Sequence, residues 1–119
     1  MEILGIGTDI VEIERFAQAC RRSARFEERV FTRTELDYCR PKASRYSHLA
    51  ARFAAKEAVA KAFGRSFSWQ DVEIFTEPSG KPGARLYGRA QEAAGGARVM
   101  LSLSHSREYA AAVAILVRD

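Results

Sequence analysis

The chain has 119 residues, 47% of them hydrophobic and 29% charged, the balance of one water-soluble globular domain with a modest core. Its formal net charge of +4 favours an anionic partner: a nucleotide, a nucleic acid, a membrane surface or an acidic protein. The apolar run at Ile3–Leu4 is too short for a secretory leader, and no stretch nears about 20 apolar residues, so a cytoplasmic protein without a membrane span is expected.

From the start, Ile3–Ile10 is β-branched and dotted with glycine, which predicts a strand with Asp9 near its end. Ile10–Arg22 follows with a helical stripe of Val11, Ile13, Phe16, Ala17 and Cys20. Residues 24–33 are aromatic and basic and predict a short helix and turn. Thr34-Glu-Leu-Asp resembles a capping box opening a helix over 34–40, which Pro41 ends. A long alanine-rich helix is predicted over 47–64, with Gly64 as its stop. Ser68–Thr76 predicts a strand, Glu77–Gly83 a turn and Ala84–Tyr87 a second strand, so 71–87 forms a hairpin. Gly88–Ala94 predicts a short helix, and Val99–His105 and Ala110–Val117 two further strands. No repeat or linker interrupts the chain. Residues 1–119 are therefore expected to form one α+β domain, with a mainly antiparallel sheet packed by one long and several short helices.

Four segments carry chemistry. Gly5-Ile-Gly-Thr-Asp-Ile-Val lacks the third glycine of a dinucleotide fingerprint, so what remains is a carboxylate, Asp9, at the exit of an apolar strand. Asp9 suits either a helix N-cap or a ligand. On the long helix, about 100° per residue gathers Arg52, Lys56, Glu57 and Lys61 on one half of the wheel, and Ala54, Ala55, Ala58 and Ala62 on the other, where another backbone could approach. The first group suits a polyphosphate and metal site, or else a solvated face with a Glu57–Lys61 pair. Asp9 and Glu57 would suffice for magnesium, a hard ion that takes one or two carboxylates and substrate phosphate oxygens. In Leu101-Ser-Leu-Ser-His-Ser, alternation puts Ser102 and Ser104 opposite Leu101 and Leu103, and His105 marks the strand end. Ser79-Gly-Lys-Pro reads as a turn. Cys20 and Cys39 lack a CxxC spacing and a histidine set, which excludes zinc and leaves two reduced thiols. No GxSxG elbow supports a serine hydrolase.

In this order, residues 6–16, 52–64, 80–82 and 102–106 resemble the holo-[acyl-carrier-protein] synthases, the short single-domain 4′-phosphopantetheinyl transferases. The resemblance spans nearly the whole chain. It implies magnesium-dependent transfer of 4′-phosphopantetheine from coenzyme A to a serine of apo acyl carrier protein, with release of adenosine 3′,5′-bisphosphate, in fatty acid biosynthesis. It also implies a homotrimer with active sites between subunits. By the same resemblance, Asp9 and Glu57 match magnesium ligands and Lys61 the catalytic lysine at the pyrophosphate. Arg52, Gly64, Gly80, Lys81, Pro82 and His105 match positions around the nucleotide. The residue before Gly80, often asparagine in this family, is Ser79, which puts hydrogen bonding on the adenine side in question. The base for the carrier serine stays open between Glu57 and a metal-bound water. Arg15, Arg22 and Arg25 are candidates for docking the acidic carrier protein, Arg15 matching the family pattern best. The rival from another class is a basic nucleic-acid-binding module, but Phe26, Phe31 and Phe53 do not form a stacking motif. Neither nucleic acid nor membrane is an expected partner.

Overall fold

The computed structural model describes residues 1–119. Strand β1 (Glu2–Glu12) runs two residues past the expected end at Ile10. The reason lies in its partner: β1 pairs along its length with the last strand, from Glu2↔Arg118 to Glu12↔Tyr109, and this ladder holds residues 10–12 extended. Helix α1 (Ile13–Arg22) therefore begins four residues after Asp9, and Asp9 is not its N-cap. Helix α2 is Ala24–Val30. Helix α3 (Arg33–Cys39) starts earlier than Thr34 suggested. Its N-cap is Thr32, whose hydroxyl accepts from the Glu35 N–H while the Glu35 carboxylate accepts from the Thr32 N–H at 2.8 Å. Helix α4 (Arg45–Phe63) ends at Gly64, which takes the left-handed conformation (φ 74°) that closes a helix at low cost in glycine.

A single 3₁₀ turn at Trp69–Asp71 occupies the start of the strand expected from Ser68. Strands β2 (Val72–Thr76) and β3 (Pro82–Leu86) form the expected antiparallel hairpin. Helix α5 (Gly88–Ala94) and strands β4 (Arg98–His105) and β5 (Tyr109–Arg118) complete the chain. The main sheet is antiparallel in the order β1-β5-β4. The architecture is the α+β class expected from the sequence.

Helix α4 is the axis of the core. Its C-terminal half buries Ala54, Ala55, Ala58, Val59 and Ala62 against both sheets. Its N-terminal half packs Leu49, Ala50 and Ala51 among residues of α1, α2 and α3, including Phe16, Val30 and Leu36. Alternation along β1 turns Gly5 and Gly7 toward α4, and the approach is backbone on backbone. A Cβ at Gly5 would fall inside the van der Waals envelope of the Ala62 carbonyl oxygen, and one at Gly7 inside that of Ala58. The alanine half of the wheel is thus the surface on which a second backbone lies.

The opposite face of the sheet has no helix over it. Ile6 and Ile10 on β1 are 65% and 66% exposed, beside their ladder partners Ile115 and Ala111 on β5 and near half-exposed Met100 on β4.

Because backbone cannot rotate out of the way, Gly7→Ala should cost about 3 kcal/mol or prevent folding. Urea denaturation of the variant checks this, and a loss below about 1 kcal/mol would contradict the close approach.

Candidate active site

Period-two alternation places Asp9 on the same side of β1 as Gly5 and Gly7, the α4 side. Each two-residue step along β1 moves about one turn back along α4, so Asp9 arrives beside the turn that carries Glu57. Lys61, one turn on, reaches back: its Nζ lies 3.3 Å from Asp9 Oδ1 and donates to the Thr8 carbonyl oxygen at 3.0 Å. The expected Glu57–Lys61 pair is replaced by this Asp9–Lys61 pair, because the strand presents a carboxylate within reach of the lysine. Burial, and next the neighbouring Asp9 carboxylate, push the Glu57 carboxyl upward, and Lys61 offsets part of that. Asp9, Glu57 and Lys61 therefore act on one another at one place on the surface, with Glu12 on the wall of the groove that Asp9 and Glu57 line.

Glu57 sits where three depressions adjoin. The first, about 400 Å³, runs from Asp9 past Arg15 over an apolar floor that includes Phe16, Phe26 and Phe53. The second, about 440 Å³, contains Lys61, Gly64 and Arg65. The third, about 260 Å³, lies between α4 and residues 66–69. Arg15 thus lines the groove of the two carboxylates. Arg22 and Arg25 are exposed on α1 and α2 and do not line it.

The helix wheel grouped Arg52 and Lys56 with Glu57 and Lys61, and the structure separates them. Lys56 is buried under β2 and α3. Its Nζ lies 2.9 Å from Glu35 Oε1, with both side chains essentially inaccessible, and donates to the carbonyl oxygens of Trp69 and Val72. The other Glu35 oxygen accepts from the Ile74 N–H at 2.7 Å. Lys56 is spent on the fold and takes no part in an anion site.

Arg52 faces elsewhere again. Five residues before Glu57, it is turned by about 140° around α4. It lines a separate cleft of about 200 Å³ with Gly80, Pro82 and His105, and this cleft shares no residue with the three at Glu57. Arg52 is 3% exposed, yet no carboxylate pairs with it. Its Nη2 donates to Thr76 Oγ1 at 2.7 Å, its guanidinium lies over the Tyr38 ring at 4.4 Å, and its Nε has no partner. A buried cation with an idle donor suits an anion. Gly80 owes its place to the 77–81 turn, where it adopts φ 92° and its N–H donates to the Glu77 carbonyl oxygen at 2.8 Å. Lys81 is exposed beside the cleft.

Sequence reasoning missed His48 and Tyr38, which line the Arg52 cleft. A signal existed for His48: it precedes Arg52 by four residues and so shares its helix face.

A sequence profile of the 4′-phosphopantetheinyl transferase superfamily matches residues 5–114. A holo-[acyl-carrier-protein] synthase of Ruminiclostridium cellulolyticum is 46% identical over 125 residues, covering 98% of this chain and 92% of its own. The chain belongs to the holo-[acyl-carrier-protein] synthase family of 4′-phosphopantetheinyl transferases. Solved structures of this family superpose closely. The synthase of Plasmodium yoelii is 32% identical with a TM-score of 0.88, over 99% of this chain and 97% of the other. That of Bacillus anthracis, in complex with CoA (3′,5′-ADP), is 32% identical with a TM-score of 0.85, each chain fully covered.

The two lysines of α4 should separate in experiment. Lys56→Ala strands Glu35 as a buried unpaired charge and should cost about 3–5 kcal/mol in urea denaturation. Lys61→Ala removes a lysine side chain that is 55% exposed and should change stability by no more than about 1 kcal/mol.

Proposed function

We propose that this chain is a magnesium-dependent holo-[acyl-carrier-protein] synthase, moving 4′-phosphopantetheine from coenzyme A to a serine hydroxyl of apo acyl carrier protein and releasing adenosine 3′,5′-bisphosphate. The observation that carries the reading is the convergence of Asp9, Glu57 and Lys61, distant in sequence, on one opening in a member of this family.

The donor set fits magnesium. Asp9 and Glu57 line one groove, with Glu12 also on its wall and no histidine or cysteine in its lining, and such hard oxygen donors suit an ion that keeps waters and takes phosphate oxygens better than they suit zinc. When bound by Asp9 and Glu57, the ion supplies Lewis-acid polarisation of the β-phosphate of coenzyme A. The chain does the rest by alignment and charge. Lys61, tethered by the Thr8 carbonyl and the Asp9 carboxylate, holds its ammonium at the rim and offsets charge gathering on the departing bisphosphate. The apolar floor of the Asp9 groove keeps water from the attacked phosphorus while the carrier serine approaches. Arg15, on the wall of that groove, attracts the acidic carrier protein, with Arg22 and Arg25 extending the positive edge.

Two features support a homotrimer with shared sites. The open sheet face around Ile6 and Ile10 is exposed and apolar, and three copies of it gathered about a three-fold axis would bury it. The phosphate half of the site, at Lys61, and the nucleotide half, at Arg52 and His105, line separate clefts within one chain, so a neighbouring copy is the natural source of the complementary half. The family points to a cytoplasmic enzyme of fatty acid biosynthesis, and no helix of the structure is long and apolar enough to cross a membrane.

Mass spectrometry of apo acyl carrier protein incubated with the protein, coenzyme A and magnesium should show a gain of one phosphopantetheine, and an unchanged mass refutes the activity. Asp9→Ala and Glu57→Gln should each abolish the gain while keeping a folded circular-dichroism spectrum. Lys61→Ala should slow transfer by about 100-fold. Arg15→Glu should raise KM for the carrier protein without changing coenzyme A affinity; equal effects on both would remove Arg15 from docking. Co-refolding inactive Arg52→Ala with inactive Glu57→Gln should restore part of the activity, because mixed assemblies pair an intact half-site from each.

A further inference from the structure

We infer that His48, set against His105 at the Arg52 cleft, is a further phosphate-binding residue, one that makes recognition of the 3′-phosphate of coenzyme A depend on pH. The inference rests on the coenzyme A reading of that cleft.

His48 lies in the first turn of α4, four residues before Arg52, so both side chains leave the same flank of the helix. Its ring centroid is 5.7 Å from that of His105, at the end of β4, and 6.4 Å from that of Tyr38 on α3. Lys42, in the loop after α3, places its Nζ 4.4 Å from the centroid of the Tyr38 ring. The ionisable groups around His48 are thus His105 from β4, Tyr38 from α3, Lys42 from the following loop and Arg52 from its own helix. No carboxylate forms an ion pair with Lys42, Arg52, His48 or His105. The cleft also holds the buried Arg52 guanidinium with its partnerless Nε. The cluster has the composition of an anion site: one obligatory cation, two imidazoles that can become cations, a lysine at the edge and no competing acid.

Burial first, then His105, Lys42 and Arg52, hold the His48 imidazole below its ordinary range, so it is neutral near pH 7 while the cleft contains no anion. A phosphate monoester reverses the local field. Its second ionisation lies near pH 6, so above about 6.5 it enters mainly as a dianion and raises the proton affinity of the His48 imidazole beside it. Binding then takes up protons, and affinity strengthens as pH falls from 8 toward 6.5. The pantetheine diphosphate, bound at the other half-site, makes no use of this pair. Dephospho-coenzyme A, which lacks the 3′-phosphate, therefore serves as the internal control.

Titration calorimetry of coenzyme A and dephospho-coenzyme A at pH 6.5 and 8.0, on the wild-type protein and on His48→Phe, tests the inference. Phenylalanine keeps an aromatic ring against His105 and Tyr38, and His48→Gln is the second variant should the first fail to fold. For the wild type, coenzyme A should gain about fivefold more affinity than dephospho-coenzyme A between pH 8.0 and 6.5, and the variant should lose that excess. An excess that survives in the variant, or none in the wild type, overturns the assignment of His48 alone. Failure of coenzyme A to bind at either pH overturns the coenzyme A reading, and this inference with it.

Discussion

The contact between the β1 backbone and helix α4 sets the position of everything else at the Asp9 opening. Two glycines spaced by two on the strand meet the carbonyl oxygens of Ala58 and Ala62, spaced by four on the helix. This match of one strand repeat to about one helical turn can hold only if the strand carries no Cβ there. Asp9 is the next residue in the same strand phase. Its carboxylate therefore reaches the flank of α4 that bears Glu57 and Lys61 without any adjustment of its own. The unbroken pairing of residues 5–12 of β1 with β5, beyond the register shift between Ile3 and Gly5, keeps that phase constant, since a slip of one residue would turn Asp9 to the opposite face.

Charge on α4 is divided among three tasks. Lys56 is neutralised inside the protein by Glu35, which also closes the cap of α3 and holds the Ile74 N–H of β2, so one carboxylate ties three elements together. Lys61 remains accessible, and its partner is a residue of the strand. Arg52 is buried without a counter-charge. A buried ion pair contributes little net stability but is costly to break, whereas an unpaired buried guanidinium is retained only where something else compensates it. The contrast between Lys56 and Arg52, one turn apart on the same helix and equally buried, separates a cation neutralised by the fold from one left without a counter-charge, as the proposed binding role requires.

The separation of the Lys61 and Arg52 clefts gives the proposed trimer a chemical reason. A small domain with an alanine-packed core has no deep groove able to surround a dinucleotide-sized ligand. Covering the apolar face around Ile6 and Ile10 with a neighbouring copy would bury exposed hydrophobic surface and supply walls to the sites in the same event. Assembly and ligand binding would then be linked, since coenzyme A would hold two copies together.

Much of this was legible in the sequence. Hydrophobic period and turn chemistry, which are local properties, located every β-strand and α-helix, though not the 3₁₀ turn at Trp69–Asp71. Asp9, Glu57 and Lys61 stood out because their residue types and order matched a known pattern. What the sequence could not fix were the positions decided by partners distant along the chain. The strand ladder with β5, not the composition of residues 10–12, set where β1 ends. The needs of Glu35, engaged by Ile74 and Lys56, accompanied a cap at Thr32 where Thr34 read equally well. The helix wheel gave angles about one axis but not what stood at each angle. Only tertiary packing decided that Lys56 faces a buried glutamate, Arg52 a cleft without a carboxylate and with His48 beside it, and Lys61 the carboxylate of a strand 52 residues away in sequence.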